Sequence, residues 1–330
     1  MSDKKAAKAP SIPRPSSSVL LISPTNQVLL LHRVRTSSSF PSAHVFPGGN
    51  VSEFHDGRVP DIEDPKRHVD NDAYRLAAIR ETFEESGILL AYNNGFGRLL
   101  EVEDSKREAG RKAVHKGEVP FPKWLARQGG RPDVDNLIPF TRWITPPNVP
   151  KRFTTQMYVY FLPTTTSSVG NIGSAKEAVI PDPTHDGGLE HTAARFLPPQ
   201  TWLDMAKSGE IIMFPPQVFL LTMISQFLTP STPNILTDAF EQQRKQLRQF
   251  LKGGDPSWAD ACISPIGTNG AQYGDKRVIL SLEDPGLDLK KHGRRGVSDY
   301  VVMVAFSKEG PRQVEIRTRK EVFGEGREKL

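Results

Sequence analysis

The stretch DAYRLAAIRETFEESG, residues 72–87, has the clearest helical pattern in the chain. Leu76, Ile79 and Phe83 follow one another at intervals of three and four residues, which is typical of the apolar face of an α-helix. The aspartate that opens the stretch is a suitable N-cap, and the glycine that closes it is a suitable stop. The sequence therefore predicts a helix over residues 72–86.

This helix carries a cluster of three carboxylates beside an arginine. Glu81 lies three and four residues before Glu84 and Glu85, so the three side chains share one face. Like charges this close repel one another, and a hard divalent cation with oxygen ligands would relieve the repulsion. An exposed acidic turn explains the same pattern, so the helix alone leaves both readings open.

Two glycines precede the helix, at the end of the segment HVFPGG, residues 44–49. Together with Arg-Glu-X-X-Glu-Glu-X-Gly at 80–87, they resemble the signature of the Nudix hydrolases, Gly-X5-Glu-X7-Arg-Glu-U-X-Glu-Glu-X-Gly-U, where U is aliphatic. Thr82 stands at the first U of the second half. Gly49 and Arg80 are 31 residues apart where the signature has 14, so 17 residues are inserted. Counting back eight residues from Arg80 places Asp72 where the signature has Glu.

Flanking stretches narrow the resemblance to the nucleoside-diphosphate-linked moiety X motif 19 branch, over roughly residues 17–228. The similar stretches are residues 40–49, 78–87, 143–146, 151–155 and 214–217. In animals this branch includes peroxisomal coenzyme A diphosphatases, so the resemblance implies cleavage of CoA or acyl-CoA to 3′,5′-ADP and (acyl-)phosphopantetheine. The upstream pattern of other Nudix CoA pyrophosphatases is only partly present, because Ser38 and Ser42 stand where it has Arg and Gly.

The resemblance also implies a set of catalytic and metal-binding residues. Glu81, Glu84 and Glu85 would bind Mg²⁺ or Mn²⁺, with one of them or a later acidic residue as general base. Gly49 would offer a backbone carbonyl to the metal. Arg80 would hold Glu84 or Glu81 by a charge-assisted hydrogen bond.

Other side chains fit either a functional or a structural role. Glu190 follows a glycine-containing loop where many relatives place an acidic residue near the metals, but a surface position fits equally. Lys151 and Arg152 are candidates for contact with substrate phosphate, although adjacent basic residues at a strand start are more often solvated. Four aromatic side chains are candidate donors or stacking platforms that core packing explains as well: His32, His44, Trp143 and Phe153.

Two classes of alternative function remain open. The same enzyme chemistry could serve ADP-ribose, another nucleoside diphosphate derivative or an mRNA cap. A non-catalytic Nudix fold could instead act as a binding module. Retention of the three glutamates and Arg80 argues against a binding module, because such a module has no need of that cluster.

Patterns along the chain predict an α/β/α sandwich with a mixed sheet. Two apolar runs separated by Ser-Pro-Thr-Asn predict a hairpin, and the helices at 198–208 and 215–228 open on proline. The predicted strands are 19–22, 28–31, 137–144, 153–162, 193–197, 277–282 and 301–306, with a further helix at 237–251. We expect a tail over 1–16, a Nudix domain over 17–230 with an inserted loop at 50–71, and a helix and β extension over 231–330 packed on the same domain.

Composition limits the class of protein. The 330 residues are 37% apolar and 25% charged, as in soluble globular domains, and no apolar stretch is long enough to span a bilayer. A formal charge of +5 is spread along the chain, so a small nucleotide-type substrate is expected rather than nucleic acid. The single cysteine, Cys262, suits a reducing compartment. We expect an intracellular protein, cytoplasmic by default, and leave a peroxisomal or mitochondrial location and a homodimer open. The C-terminal Glu-Lys-Leu resembles the peroxisomal signal Ser-Lys-Leu, but Glu328 stands where that signal has a small residue.

Overall fold

The computed structural model describes residues 9–36, 41–93, 99–163, 191–229, 237–272, 275, 277–287 and 289–324. The predicted ligand Glu190 and the C-terminal Glu-Lys-Leu lie outside the described residues. No helix in the described part of the chain is long and apolar enough to cross a membrane.

The strands and helices follow one another in mixed order. The strands are β1 (Arg14–Ile22), β2 (Val28–Arg33), β3 (His44–Val45), β4 (Gly48–Asn50), β5 (Ala91–Asn93), β6 (Gly130–Pro132), β7 (Ile138–Ile144), β8 (Phe153–Phe161), β9 (His191–Leu197), β10 (Cys262–Ile263), β11 (Ile266–Gln272), β12 (Val278–Ser281), β13 (Tyr300–Ser307) and β14 (Gly310–Thr318). The helices are α1 (Glu53–Asp56), α2 (Asp72–Ser86), α3 (Asp104–His115), α4 (Phe121–Arg127), α5 (Pro199–Ser208), α6 (Pro215–Ser225), α7 (Thr237–Leu251) and α8 (Arg319–Phe323).

The central sheet is mixed, as the sequence predicts. Its order in the described residues is β10-β7-β8-β1-β2-β3, with β4 beside β1 and β9 beside β2. β1 runs parallel to β8 and antiparallel to β2, with which it forms the predicted hairpin. β1 begins at Arg14, inside the predicted tail of residues 1–16, because its first residues pair with β8.

Both faces of this sheet are apolar, because successive side chains of a strand point to opposite sides. On one face, Val19 and Leu21 of β1 pack with Tyr74, Ile79 and Phe83 of α2. The other face packs on α5 and α6, and its β1 and β2 residues are Leu20, Ile22, Val28 and Leu30. These two cores confirm the α/β/α sandwich.

The C-terminal extension adds a further layer. β11, β12, β13 and β14 form an antiparallel sheet, and Val302 and Val304 of β13 lie in the same apolar core as Phe219 and Leu220 of α6. β10 joins the central sheet through β7, with Cys262 opposite Arg142. A chain that shares one core with its neighbour is expected to unfold with it. We therefore propose that residues 231–330 belong to the same cooperative unit.

Three local expectations are wrong. The segment 50–71, predicted as a loop, contains α1 and a 3-10 turn at Pro65–His68, both of which are too short to show a helical period in sequence. The sequence pattern predicts no helix over 104–115, where the structure has α3, because most residues of this helix are polar. The N-cap of α2 is Asn71 rather than Asp72, since the Asn71 side chain accepts a hydrogen bond from the backbone of Ala73.

The packing of the C-terminal sheet predicts a contrast between two residues of β13. Val302 is fully buried, whereas Phe306 is 61% exposed. Val302→Asp should lower the free energy of unfolding by about 3 kcal/mol or more, because it places a carboxylate in an apolar core. Phe306→Asp should change it by less than about 0.5 kcal/mol. Urea unfolding followed by circular dichroism measures both; an early separate transition for the extension would contradict the single unit.

Candidate active site

Helix α2 and strand β4 bring the predicted site residues together. α2 packs its apolar face on the central sheet and ends at Gly87, whose φ of 74° is the left-handed conformation that closes a helix. β4 pairs with β1, with Gly49 opposite Ser17. This pairing places the glycine pair against the carboxylates of α2.

Arg80 is the centre of the cluster. Its side chain is only 5% exposed, and its Nε and Nη2 donate hydrogen bonds to the two carboxylate oxygens of Asp56 at 2.9 and 2.8 Å. Nη1 donates to Glu81 Oε1 at 2.9 Å and to Glu84 Oε1 at 2.8 Å. Nη2 also donates to the carbonyl oxygen of Asn50 at 2.8 Å. One guanidinium therefore connects α2, α1 and β4.

Asp56, rather than Asp72, faces Arg80, so the placement of Asp72 at the signature glutamate is wrong. Asp72 is exposed at the start of α2. The Asp56 side chain is fully buried, and one of its oxygens accepts a further hydrogen bond from the Ser52 backbone at 2.8 Å. Counting back from Arg80 misses Asp56 because the insertion lies between these two residues, not before the acidic one.

The two glycines allow the close approach of β4 to its neighbours. A Cβ on Gly49 would lie 2.5 Å from the carboxylate of Glu81, and a Cβ on Gly48 would lie 2.3 Å from the carbonyl oxygen of Ser17. The backbone N–H of Gly48 donates to Glu85 Oε2 at 2.8 Å. A side chain at position 49 would push β4 away from the Glu81 carboxylate, and one at position 48 would push it away from β1.

Helix α3 holds the end of α2 through Glu84. Arg111 is buried, and its Nε and Nη2 donate to the Glu84 carbonyl oxygen at 3.2 and 2.8 Å. That carbonyl belongs to the last turn of α2, where backbone acceptors lack intrahelical partners and a cation is favourable. His115 Nδ1 lies 3.2 Å from Glu84 Oε2. Sequence reasoning missed both residues, because nothing local indicates contact with a helix some thirty positions earlier.

The electrostatics of the cluster follow from its burial. Burial raises the pKa of Glu81 to about 7, with Arg80 opposing the rise and Glu84 adding to it. Burial alone would lower the pKa of Arg80, but Glu81, Asp56 and Glu84 hold it above its ordinary value. The cluster therefore keeps its cation, and burial makes the Glu81 carboxylate easier to protonate than an exposed one.

The donor atoms fit a hard divalent cation, although protein side chains alone do not enclose one. Among the described residues, no group of three or more His, Cys, Asp or Glu side chains is arranged to hold a metal ion. Glu81 uses Oε1 for Arg80, and its Oε2 accepts no hydrogen bond from the described residues. Glu85 Oε1 lies 3.6 Å from His191 Nε2, beside the undescribed Glu190. Carboxylate oxygens of Glu81 and Glu85 and the backbone carbonyl of Gly49 are hard donors of the kind that suit Mg²⁺ or Mn²⁺.

The candidate phosphate-binding residues lie in different surroundings. Lys151 is exposed, and its contact with substrate stays a prediction. Arg152 is buried, and it donates to the backbone carbonyls of Thr145 at 2.9 Å and Ser11 at 2.8 Å. Arg152 therefore fastens the N-terminal segment to the β7–β8 connection, and these contacts give no support to its prediction as a substrate ligand.

The aromatic candidates belong mainly to the packing. His32 and His44 stack with ring centroids 4.7 Å apart, and burial lowers the pKa of His44 to about 4. Trp143 is buried edge-on against Phe219 of α6. Phe153 begins β8 opposite Arg14 and is partly buried.

A mixed-sheet α/β/α sandwich that presents Arg-Glu-X-X-Glu-Glu-X-Gly beside a glycine pair has the architecture and signature of a Nudix domain. Residues 54–224 match the family model of the NUDT19 Nudix domain. The chain belongs to this family.

Similar proteins carry related names. The putative nudix hydrolase 7 of Caenorhabditis elegans is 30% identical over 212 residues, covering 64% of this chain and 60% of that protein. The acyl-coenzyme A diphosphatase NUDT19 of Xenopus laevis is 28% identical, covering 61% and 60%. The chain thus spans about 60% of the length of these two relatives. A solved NUDIX hydrolase from Alicyclobacillus acidocaldarius is 22% identical with a TM-score of 0.47, covering 67% of this chain and 98% of that one.

The contact between Asp56 and Arg80 predicts different effects for two aspartates. Asp56→Asn should lower the free energy of unfolding by about 3 kcal/mol, because it removes one partner of a buried ion pair. Asp72→Asn removes only an exposed charge in the first turn of α2 and should cost less than about 1 kcal/mol. Denaturant unfolding of both variants provides the comparison. Equal losses would mean that Asp56 is not the principal partner of Arg80.

Proposed function

We propose that the protein is a divalent-metal-dependent hydrolase that cleaves the diphosphate of a nucleoside-diphosphate-linked compound. Its proposed substrate is CoA or acyl-CoA, with 3′,5′-ADP and (acyl-)phosphopantetheine as products. The observation that carries the proposal is the buried Arg80, which holds Glu81 and Glu84 beside Gly49 in a chain of the NUDT19 Nudix family.

Each residue of the cluster has a proposed role. Glu81, Glu85 and the Gly49 carbonyl would hold Mg²⁺ or Mn²⁺, with Glu190 as a further candidate ligand. A bound cation of this kind neutralises charge on diphosphate oxygens and lowers the pKa of water. Arg80 fixes the carboxylates of Glu81 and Glu84, so that little reorganisation is needed when substrate arrives.

Glu84 is suited to orienting rather than to accepting the proton of water. Its Oε1 accepts from Arg80 and its Oε2 lies beside His115, so both oxygens are already engaged. Glu81 has an oxygen that accepts no hydrogen bond from the described residues. A general base needs such an oxygen within reach of the water. The same oxygen of Glu81 is the proposed metal donor, so we leave the general base to Glu85 or to a later acidic residue such as Glu190.

The choice of substrate rests on the relatives. The Xenopus laevis protein bears the name acyl-coenzyme A diphosphatase, and the formal charge of +5 suits an anionic substrate. ADP-ribose or another nucleoside diphosphate derivative would use the same chemistry. A purely binding role would leave the buried Arg80 cluster without a purpose. The homodimer and the cellular compartment stay predictions.

Product analysis tests the proposal. With Mg²⁺ or Mn²⁺, the purified protein should release 3′,5′-ADP from CoA, and removal of the metal by EDTA should stop the reaction. Glu85→Gln should lower kcat by more than about 100-fold. Substitution of a residue that only supports a metal ligand already lowers activity by about 10- to 100-fold, and Glu85 is proposed as a ligand itself. Glu118→Gln, an exposed glutamate of the same chain, is the matched control and should leave kcat unchanged.

Two outcomes would redirect the assignment. If the protein hydrolyses ADP-ribose or NADH but not CoA, the proposed mechanism is retained and the proposed substrate is rejected. If neither the wild type nor Glu85→Gln hydrolyses any of these compounds, the result would favour a non-catalytic binding module.

A further inference from the structure

An open groove of about 730 Å³ lies beside the candidate active site. Its apolar lining comes from two parts of the chain that nothing above assigns to function, the N-terminal segment and the insertion of the Nudix signature. These apolar residues are Ile12, Pro15, Val51, Val59 and Ile62. We propose that this insertion groove binds the acyl-pantetheine limb of the substrate, an inference that rests on the proposed function.

The groove is continuous with the strand that carries Gly49. Val51 lines the groove and follows Asn50, whose carbonyl oxygen accepts from Arg80. Val51 N–H donates to the Pro15 carbonyl at 3.0 Å, which joins the two walls. Two residues of chain span at most about 7 Å, so Val51 lies within that distance of Gly49. The acyl-pantetheine limb of a ligand with its diphosphate at Gly49 is long enough to reach Val51.

Exposed isoleucines line both walls of the groove. Ile12 is 54% exposed and Ile62 is 51% exposed, on opposite walls. Phe54 and Val69, in and beside the same insertion, are 52% and 43% exposed. Apolar side chains gathered at one exposed place mark a binding surface more often than scattered ones do. An alkyl chain is a suitable occupant, because burying it removes apolar area of both partners from water.

The charged residues of the groove favour this limb of the substrate over the nucleotide limb. Two arginines and three acidic residues line it, so it has no excess of positive charge: Arg58, Arg67, Glu53, Asp61 and Glu63. Arg58 is paired with Asp61 at 2.9 Å, and Arg67 Nη1 donates to the Pro60 carbonyl at 2.6 Å. The phosphoadenosine end carries several negative charges and would be repelled, whereas the acyl-pantetheine limb consists of amides and alkyl groups without charge.

The insertion wall is anchored to the fold. His68 is buried, and its Nδ1 lies 3.0 Å from Thr154 Oγ1 of β8. The hydroxyl of Tyr74 on α2 donates to the Arg67 carbonyl at 2.6 Å. Small-molecule sites are usually formed largely in advance of binding, and these anchors provide such a site. The inserted residues would thus determine which acyl group is accepted.

Substitution of the two isoleucines tests the groove. The measured quantity is the ratio of kcat/KM for dodecanoyl-CoA to that for free CoA. Ile62→Asp and Ile12→Asp should each lower this ratio at least about tenfold, because a charge replaces an apolar contact to the chain. Phe306→Asp, which changes an apolar residue 61% exposed on β13, is the control and should leave the ratio unchanged. Equal thermal midpoints would exclude unfolding as the cause.

A binding measurement separates this inference from the proposed function. Calorimetric titration with dodecanoyl-phosphopantetheine needs no turnover, and its affinity should also fall at least about tenfold in Ile62→Asp. If Ile62→Asp and Ile12→Asp hydrolyse CoA and keep the wild-type ratio of kcat/KM for dodecanoyl-CoA to that for CoA, the groove does not bind the acyl-pantetheine limb. An equal fall in Phe306→Asp would also overturn this inference. Binding that depends on Ile62 without any hydrolysis would reject the proposed function alone.

Discussion

A single buried cation organises the candidate site. The guanidinium of Arg80 is 5% exposed, and a charge so far from water requires compensation by partners held in place. Asp56, Glu81 and Glu84 supply that compensation, and the Asn50 carbonyl accepts the remaining hydrogen bond. Because these partners come from α1, α2 and β4, the guanidinium fork sets the positions of these three elements relative to one another.

The rest of the fold supports this arrangement. The central sheet packs apolar residues on both faces, which makes α2 a rigid platform. Glycines at positions 48 and 49 let β4 approach the carboxylates, and Arg111 of α3 holds the last turn of α2 from the other side. A metal site requires carboxylates on rigid elements, oriented by hydrogen bonds from the surrounding residues.

The sequence predicted correctly those features whose pattern lies within one short stretch of residues. The period of α2, the hairpin of β1 and β2, and the Arg-Glu-X-X-Glu-Glu motif could all be read directly. Asp56 could not, because its role depends on where the insertion interrupts the signature, and spacing cannot locate that point. Arg111 and His115 escaped for another reason: α3 is largely polar, and its contacts with Glu84 join residues 27 and 31 positions apart. The groove could not be read from the sequence either, because its walls come from segments around residues 12 and 62, which are far apart in the chain.

The most direct test of the central claim is the affinity for Mn²⁺, measured by electron paramagnetic resonance, in wild type and Arg80→Lys. Lysine keeps the positive charge but lacks the planar fork that binds several carboxylates at once. We expect a loss of affinity of about 10- to 100-fold in Arg80→Lys, with the circular dichroism spectrum unchanged. Equal Mn²⁺ affinity in the two proteins would contradict it, because the carboxylates would then be positioned without the geometry of Arg80.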